Sequence, residues 1–160
     1  MTSTLNGQAH TDVREVAEKL TAAGVRYAAI SFVDMHGKPK AKMVPLGHLE
    51  QAANGSEMFT GAALDGGVPQ DVNDDEVAPH PDLHAAIVMP FNREIAWFPG
   101  DLWVGDTPFE SCSRQILKRV TAEAATLGYA FNLGIETEFF LLSDRNGGVP
   151  EPASPRRQSG

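Results

Sequence analysis

The chain has 160 residues, of which 42% are hydrophobic and 21% are charged. This composition is typical of a globular protein and excludes a wholly disordered one. The formal net charge is −8, from 13 basic and 21 acidic side chains, so no basic surface indicates nucleic acid or an anionic membrane as a partner. The length allows one ordinary domain, or one small domain and the beginning of another.

Cysteine content and the N-terminal segment bear on the cellular compartment. Cys112 is the single cysteine, and we expect a buried structural thiol in a reducing compartment rather than a nucleophile. The first residues lack the basic and apolar segments of a secretory signal, and no window approaches the roughly 18 to 20 consecutive apolar residues that span a bilayer. These features predict a cytoplasmic protein.

A short helix and a β-hairpin are the first predicted elements. Asp12 begins a capping-box-like pattern, and the apolar residues after it recur at helical spacing. Residues 25–33 are rich in β-branched and aromatic side chains, residues 34–37 have turn chemistry, and residues 38–44 run back. Lysines on one face of the return strand indicate a solvated or protected edge rather than an anion site.

A long glycine-rich loop occupies the middle of the chain. One or two helical turns are predicted after Pro45, and residues 58–69 then form a small, apolar, glycine-rich stretch without a clear period. Loops of this length are uncommon in compact domains unless they have a function, such as closing over a ligand. The acidic segment 71–76 lacks the spacing of a calcium loop, so we expect it to be solvated.

Two further strands are predicted at residues 85–89 and 94–98, followed by a turn at residues 99–101. His80 and His84 have an i, i+4 spacing that can bind zinc on a helix. They flank a proline outside any helical pattern, so coincidence is the preferred interpretation.

An acid pair at the start of an apolar run is the candidate site. A helix predicted after residues 107–108 ends at Gly128 and leads into residues 134–142, which are typical of a strand covered on both faces. Side chains alternate across a strand, so Glu136 and Glu138 would share a face, where two carboxylates can bind one hard cation or two neighbouring ones. A solvated strand end is the alternative interpretation.

Three segments together resemble the N-terminal part of the glutamine synthetase family. They are residues 31–40 (SFVDMHGKPK), 74–79 (DDEVAP) and 134–141 (GIETEFFL). The resemblance runs from about residue 23 to residue 143 and is greatest to the type III-like branch, which also contains glutamate-methylamine ligase.

This resemblance implies an α+β fold and four parts of the chain. An N-terminal segment with a helix (1–23) would precede a β-grasp domain (24–106), the first helix and strand of a catalytic domain (107–144) and a flexible tail (145–160). The other catalytic-domain residues of the family are not in the chain, so we expect an N-terminal fragment that is inactive alone. Active sites of the family lie between subunits of a homo-oligomeric ring, and residues 58–69 would lie near one.

The resemblance also implies a reaction. The family uses ATP to phosphorylate the γ-carboxylate of glutamate, and an amine attacks the γ-glutamyl phosphate. Glu136 and Glu138 match the two acids that bind Mg²⁺ or Mn²⁺, and such ions offset phosphate charge.

The amine is left open by the sequence. The family's phenylalanine-aspartate-glycine-serine-serine segment, whose aspartate helps to bind ammonium, corresponds to residues 59–63 (FTGAA), which lack the acid and the serines. Asp65 is a candidate substitute for that acid. A glutamate-methylamine ligase activity in the complete protein is therefore an alternative to ammonia use, and a non-enzymatic β-grasp assembly module is the alternative from another class.

Overall fold

The computed structural model describes residues 12–143 and 151–152. The chain divides into two compact units, Met1–Tyr129 and Ala130–Gly160. The described part of the first unit has a mixed α+β architecture in which one six-stranded sheet carries helices. Its elements are α1 (Val13–Ala22), β1 (Tyr27–Val33), β2 (Pro39–Pro45), α2 (Leu49–Ala53), β3 (Ala78–Pro81), β4 (Ile87–Val88), β5 (Ile95–Val104), β6 (Thr107–Pro108) and α3 (Ser113–Thr126).

Helix α1 begins and ends where the sequence predicts. Asp12 is the N-cap, and its Oδ1 accepts a hydrogen bond of 2.9 Å from the Arg14 backbone N–H, which satisfies one of the free amides of the first turn. Leu20 is the buried residue of the helix. Gly24 follows with a φ of +86°, a left-handed conformation that ends helices and favours glycine.

The sheet has the order β2-β1-β5-β3, with β4 and β6 also paired to β5. Strands β1 and β2 form the predicted antiparallel hairpin, in which Tyr27 pairs with Pro45 and Val33 with Pro39. Strand β1 is parallel to β5, whereas β3, β4 and β6 are antiparallel to it. Strand β5 therefore contacts four of the five other strands.

The predicted turn at residues 99–101 is wrong, because β5 continues through it. Pro99 pairs with Ser31 of β1, and Gly100 pairs with Pro81 of β3. An ideal Cβ on Gly100 would lie 2.8 Å from the Cβ of Pro79, so glycine allows β3 to approach β5 closely here. Strand β3 itself was not predicted, because its two prolines are typical of turns and edges.

Two apolar clusters lie on the sheet. Side chains of β5 alternate between buried and half-buried positions, as expected for a strand with one face in a core. The larger cluster packs the sheet against α1 and α2 and consists of Leu20, Val25, Ala28, Ile30, Val44, Leu46, Leu49, Ala52, Ala96 and Phe98. The smaller cluster consists of Phe32, Val68, Val77, Leu102 and Cys112.

Helix α3 confirms the predicted helix but buries none of its own residues. Ile116, Leu117 and Val120 are exposed. The helix is attached at its start, where the Arg114 guanidinium forms ion pairs with Asp82 and with Asp101.

In the second unit, residues 130–141 have no regular secondary structure. The predicted strand at residues 134–142 is therefore wrong except at its last residue, because no described segment pairs with residues 134–141. Strand β7 (Leu142–Ser143) pairs antiparallel with β8 (Glu151–Pro152). The predicted flexible tail, residues 145–160, lies outside the described residues apart from β8. Across the described residues, none of the helices has the length and apolarity needed to traverse a bilayer.

Candidate functional site: the glycine-rich loop and the acid pair

The glycine-rich loop (residues 58–69) is attached to the sheet at its start. Phe59 and Val77 exchange backbone hydrogen bonds of 2.7 and 3.0 Å. The Phe59 ring packs edge-on against Phe32, with 5.2 Å between ring centroids. The Lys42 ammonium lies 4.9 Å from the centroid of Phe59, within the range of a cation–π interaction. These contacts fix the entry of the loop.

The hairpin turn (residues 34–37) is built around a buried carboxylate. Asp34 is 4% exposed, and its Oδ1 accepts hydrogen bonds of 2.9 Å from the backbone N–H groups of His36 and Lys38. The Lys40 ammonium lies 3.6 Å from Oδ2. Burial alone would raise the pKa of Asp34, but the two backbone hydrogen bonds and the Lys40 charge outweigh it, so the pKa is lowered.

The end of the loop rests on this turn. The Met35 amide donates a hydrogen bond of 2.9 Å to the Gly67 carbonyl. An ideal Cβ on Gly67 would lie 2.7 Å from Cγ and 2.9 Å from Cβ of Asp34, closer than real Cβ atoms come to other atoms. Val68, the next residue, is buried in the smaller apolar cluster. Gly67 therefore occupies a position beside the turn at which only glycine fits.

A second close contact lies near the beginning of the loop. An ideal Cβ on Gly61 would lie 2.9 Å from Cδ of Gln70. The side-chain amide of Gln70 donates a hydrogen bond of 2.7 Å from Nε2 to the Asp75 backbone carbonyl. Between Gly61 and Gly67 lies the loop tip (residues 62–66). At the tip, Asp65 is exposed and has a φ of +51°, a left-handed conformation that aspartate adopts more readily than most residues with a Cβ.

An apolar groove of about 350 Å³ lies between the sheet and the start of α3. Its walls include Phe32, Trp97 and Leu117, and the Trp97 indole N–H donates a hydrogen bond of 2.6 Å to the Ser31 hydroxyl. Cys112 also lines the groove and is buried, as predicted, with its Sγ accepting a hydrogen bond of 3.4 Å from the Leu102 amide. This thiol therefore has a structural role.

The two predicted site residues, Glu136 and Glu138, lie in the second unit, and both are exposed. Among the described residues, no group of three or more histidine, cysteine, aspartate or glutamate side chains is placed to hold a metal ion. His80 and His84 lie on different elements, β3 and a 3₁₀ turn (Leu83–Ala85). The metal role of the acid pair stays a prediction.

The sequence predicts the turn at residues 34–37 and the loop at residues 58–69, but not the contact between Asp34 and Gly67 or the role of Gln70. An aspartate at the first position of a tight turn is a known signal, because its side chain accepts hydrogen bonds from the backbone two residues on. That signal accounts for the predicted turn around Asp34, but it does not identify the distant glycine that packs on the turn.

No protein-family model matches the chain. The chain is 35% identical over 126 residues to glutamine synthetase of Rhizobium meliloti (strain 1021), a match that covers 75% of this chain and 27% of that protein. It is also 35% identical over 144 residues to glutamine synthetase of Staphylococcus aureus (strain MW2), covering 87% of this chain and 31% of that protein. The chain thus spans less than a third of the length of these relatives.

Solved structures give the same result at the level of the fold. The apo GmaS structure without ligand matches with a TM-score of 0.65 and 28% identity, covering 69% of this chain and 26% of that one. A GmaS/ADP complex, conformation 1, matches with a TM-score of 0.63 and 29% identity, covering 70% of this chain and 26% of that one. The mixed α+β unit is thus that of a ligase family. The chain belongs to the glutamine synthetase family and corresponds to its N-terminal region, and the GmaS similarity supports the type III-like branch.

Proposed function

We propose that the chain is the N-terminal part of an ATP-dependent ligase that forms an amide on the γ-carboxylate of glutamate through γ-glutamyl phosphate. The observation that carries this proposal is the 35% identity over 144 residues to a glutamine synthetase. Similarity to a GmaS/ADP complex supports nucleotide use. The acceptor would be ammonia or a small amine such as methylamine, and the complete protein would form a homo-oligomeric ring.

The proposal keeps the domain assignment that the family resemblance implies. The β-grasp domain would comprise residues 24–106, and it would contain β1 to β5. Residues 107–144 would begin the catalytic domain, and residues 145–160 would form the tail. The chain alone would be inactive, because it spans less than a third of the relatives that it matches.

Glu136 and Glu138 would bind Mg²⁺ or Mn²⁺ in this function. Carboxylate oxygens suit these hard cations, and Mg²⁺ in phosphate-transfer sites is usually held by one or two carboxylates, waters and substrate phosphates. Both carboxylates are exposed and therefore accessible to an ion. The ion would offset the charge of the transferred phosphate.

The test compares the 160-residue chain with the longest uninterrupted reading frame that contains it. Both proteins would be supplied with glutamate, ATP and Mg²⁺, and with either ammonia or methylamine, and ADP release and amide formation would be measured. We expect amide formation by the longer protein and none by the chain alone. The ligase assignment fails if the longer protein releases no glutamate-dependent ADP with either amine.

Mn²⁺ titration of the longer protein tests the acid pair separately. The variant with Glu136→Gln and Glu138→Gln should bind Mn²⁺ at least about tenfold more weakly than the unchanged protein. Glu123→Gln, which removes an exposed acid from α3, is the matched control and should bind normally. Equal Mn²⁺ affinity in all three proteins would favour the non-enzymatic assembly module.

A further inference from the structure

Two side chains that lie against the glycine-rich loop each have one buried oxygen without a hydrogen-bond donor. Within the described part of the chain, the buried side-chain atoms that lack a hydrogen-bond partner are Oδ2 of Asp34 and Oε1 of Gln70. Native proteins leave few buried polar atoms unpaired, because each one costs free energy. Both atoms face a glycine of the same loop, Gly67 and Gly61 respectively.

In the Asp34–Gly67 contact, the aspartate side chain is fixed by further hydrogen bonds. Asp34 is held on its other side by the amides of His36 and Lys38, so its carboxylate cannot swing away without breaking the hairpin turn. Met35 lies in the same turn, and its backbone N–H donates a hydrogen bond to the Gly67 carbonyl. Gly67 is not in the left-handed region, so the need for glycine there comes from Asp34 rather than from the backbone.

We propose that Asp34 is the positioning residue of the glycine-rich loop. Its carboxylate packs against Gly67 and holds this residue on the hairpin turn, and this contact, called here the Gly67 seat, fixes the position of the loop tip. Oδ2 lies on the side of Asp34 that faces Gly67, and no donor among the described residues reaches it. Lys40, 3.6 Å from Oδ2, supplies the compensating charge. The tip lies between Gly61 and Gly67, and its Leu64 packs against the smaller apolar cluster.

The Gly67 seat would also affect the reaction of the proposed ligase, and this part of the inference alone rests on the proposed function. The tip (residues 62–66) would lie near the active site of a neighbouring subunit, so Asp34 would act on the reaction through the tip and without touching substrate.

Amide hydrogen exchange of the 160-residue chain tests the seat without requiring activity. The reporter is the Met35 amide, which donates to Gly67, and the reference is the Leu46 amide, which donates to Arg26 away from the loop. We expect Gly67→Ala to speed exchange at Met35 at least about tenfold while Leu46 is unchanged. Gly47→Ala is the matched control, because an ideal Cβ on Gly47 meets nothing within 4 Å.

A double-mutant cycle shows whether Asp34 is the cause. In an Asp34→Ala background the clashing carboxylate is gone, so adding Gly67→Ala should change Met35 exchange by less than about threefold. Asp34→Asn keeps an oxygen for the two turn amides, so His36 and Lys38 should stay protected while Met35 exchanges faster. If Gly67→Ala does not fold, the two Asp34 variants decide the matter by the same reporter.

Three results would overturn the proposal. The first is unchanged Met35 exchange in Gly67→Ala or, where that variant does not fold, in both Asp34 variants. The second is an equal effect of Gly67→Ala with and without Asp34, and the third is an equal rise at Leu46. Amide formation by the longer protein is measured independently, so failure of the seat and failure of the ligase assignment are distinguishable.

Discussion

Gly100 of β5 and Pro79 of β3 approach so closely that an ideal Cβ on Gly100 would lie 2.8 Å from the Cβ of Pro79. The same Cβ would lie 3.3 Å from the Ser31 carbonyl oxygen and 3.4 Å from Cγ2 of Ile30. Glycine is therefore required where β5 passes between β1 and β3.

We predict that Gly100→Ala lowers the free energy of unfolding by about 1–3 kcal/mol, because the added methyl group overpacks this junction. Urea denaturation of the chain would measure the change. Gly47→Ala, where the methyl group meets open space, should stay within about 0.5 kcal/mol. Equal stability of the two variants would show that β3 can shift away from β5.

The core beside this junction depends on Phe98, which is 0% exposed. Phe98→Ala should cost about 3–5 kcal/mol of unfolding free energy, from lost burial and a cavity between the sheet and the two helices. Phe91→Ala is the control, because Phe91 is 77% exposed and should change stability by less than about 0.5 kcal/mol. Denaturant unfolding monitored by tryptophan fluorescence would compare them.

Arg114 attaches α3 to the sheet, with Nε donating a hydrogen bond of 2.8 Å to Asp101 and a terminal nitrogen bound to Asp82. Arg114→Ala should lower stability by about 1–2 kcal/mol and speed amide exchange in α3. Arg114→Lys should not restore the loss, because an ammonium lacks the planar fork that bridges two carboxylates.

The control for this ion pair is Arg14→Ala. The Arg14–Glu50 pair is exposed and 3.6 Å long, so its loss should cost less than about 0.5 kcal/mol. Full rescue by Arg114→Lys, or equal effects at both arginines, would contradict the bridging role of Arg114.

We predict that the stability of the first unit depends on pH through His80. It stacks on Trp103, with 5.1 Å between ring centroids, and burial lowers its pKa below the ordinary 6.5, although the charges of Asp101 and Asp106 act in the opposite direction. The unfolded chain therefore binds the proton more tightly, so this contribution to stability is present above pH 6.5 and is lost as the pH falls through the lowered pKa of the folded state.

His80→Phe keeps an aromatic ring on Trp103 and removes the titrating group. We expect it to reduce the slope of unfolding free energy against pH between about pH 5 and about pH 7. Urea denaturation at several pH values would measure that slope. An unchanged slope would mean that another group causes the pH dependence.

The elements that the sequence predicted well carry local signals. Helix α1 has its cap at Asp12 and its left-handed end at Gly24, and the hairpin has its turn residues between two apolar strands. Each of these signals lies within the element that it defines. Family membership was also predictable, because the three segments at residues 31–40, 74–79 and 134–141 carry the resemblance.

The elements that were missed depend on distant partners. Pro99 and Gly100 have the composition of a turn, and only pairing with β1 and β3 makes them part of a strand. The acid-bearing segment has the alternation of a strand, yet a strand also needs a neighbour, and no described residue pairs with residues 134–141. Phe140 is 90% exposed in consequence. The seat of Gly67 on Asp34 is likewise a contact between distant parts of the chain.

The position of β5 also bears on how the first unit folds, because β5 pairs with a strand that is distant in sequence. The hairpin of β1 and β2 joins residues close in sequence, whereas the parallel pairing of Tyr27 with Ile95 must close a long loop, which slows folding. During synthesis β1 emerges well before β5. Until β5 is made, the edge of β1 that pairs with β5 is unpaired, and the apolar side chains of Ala28 and Ile30 are not covered by β5. Unpaired strand edges and exposed apolar side chains favour misassociation of incompletely folded chains.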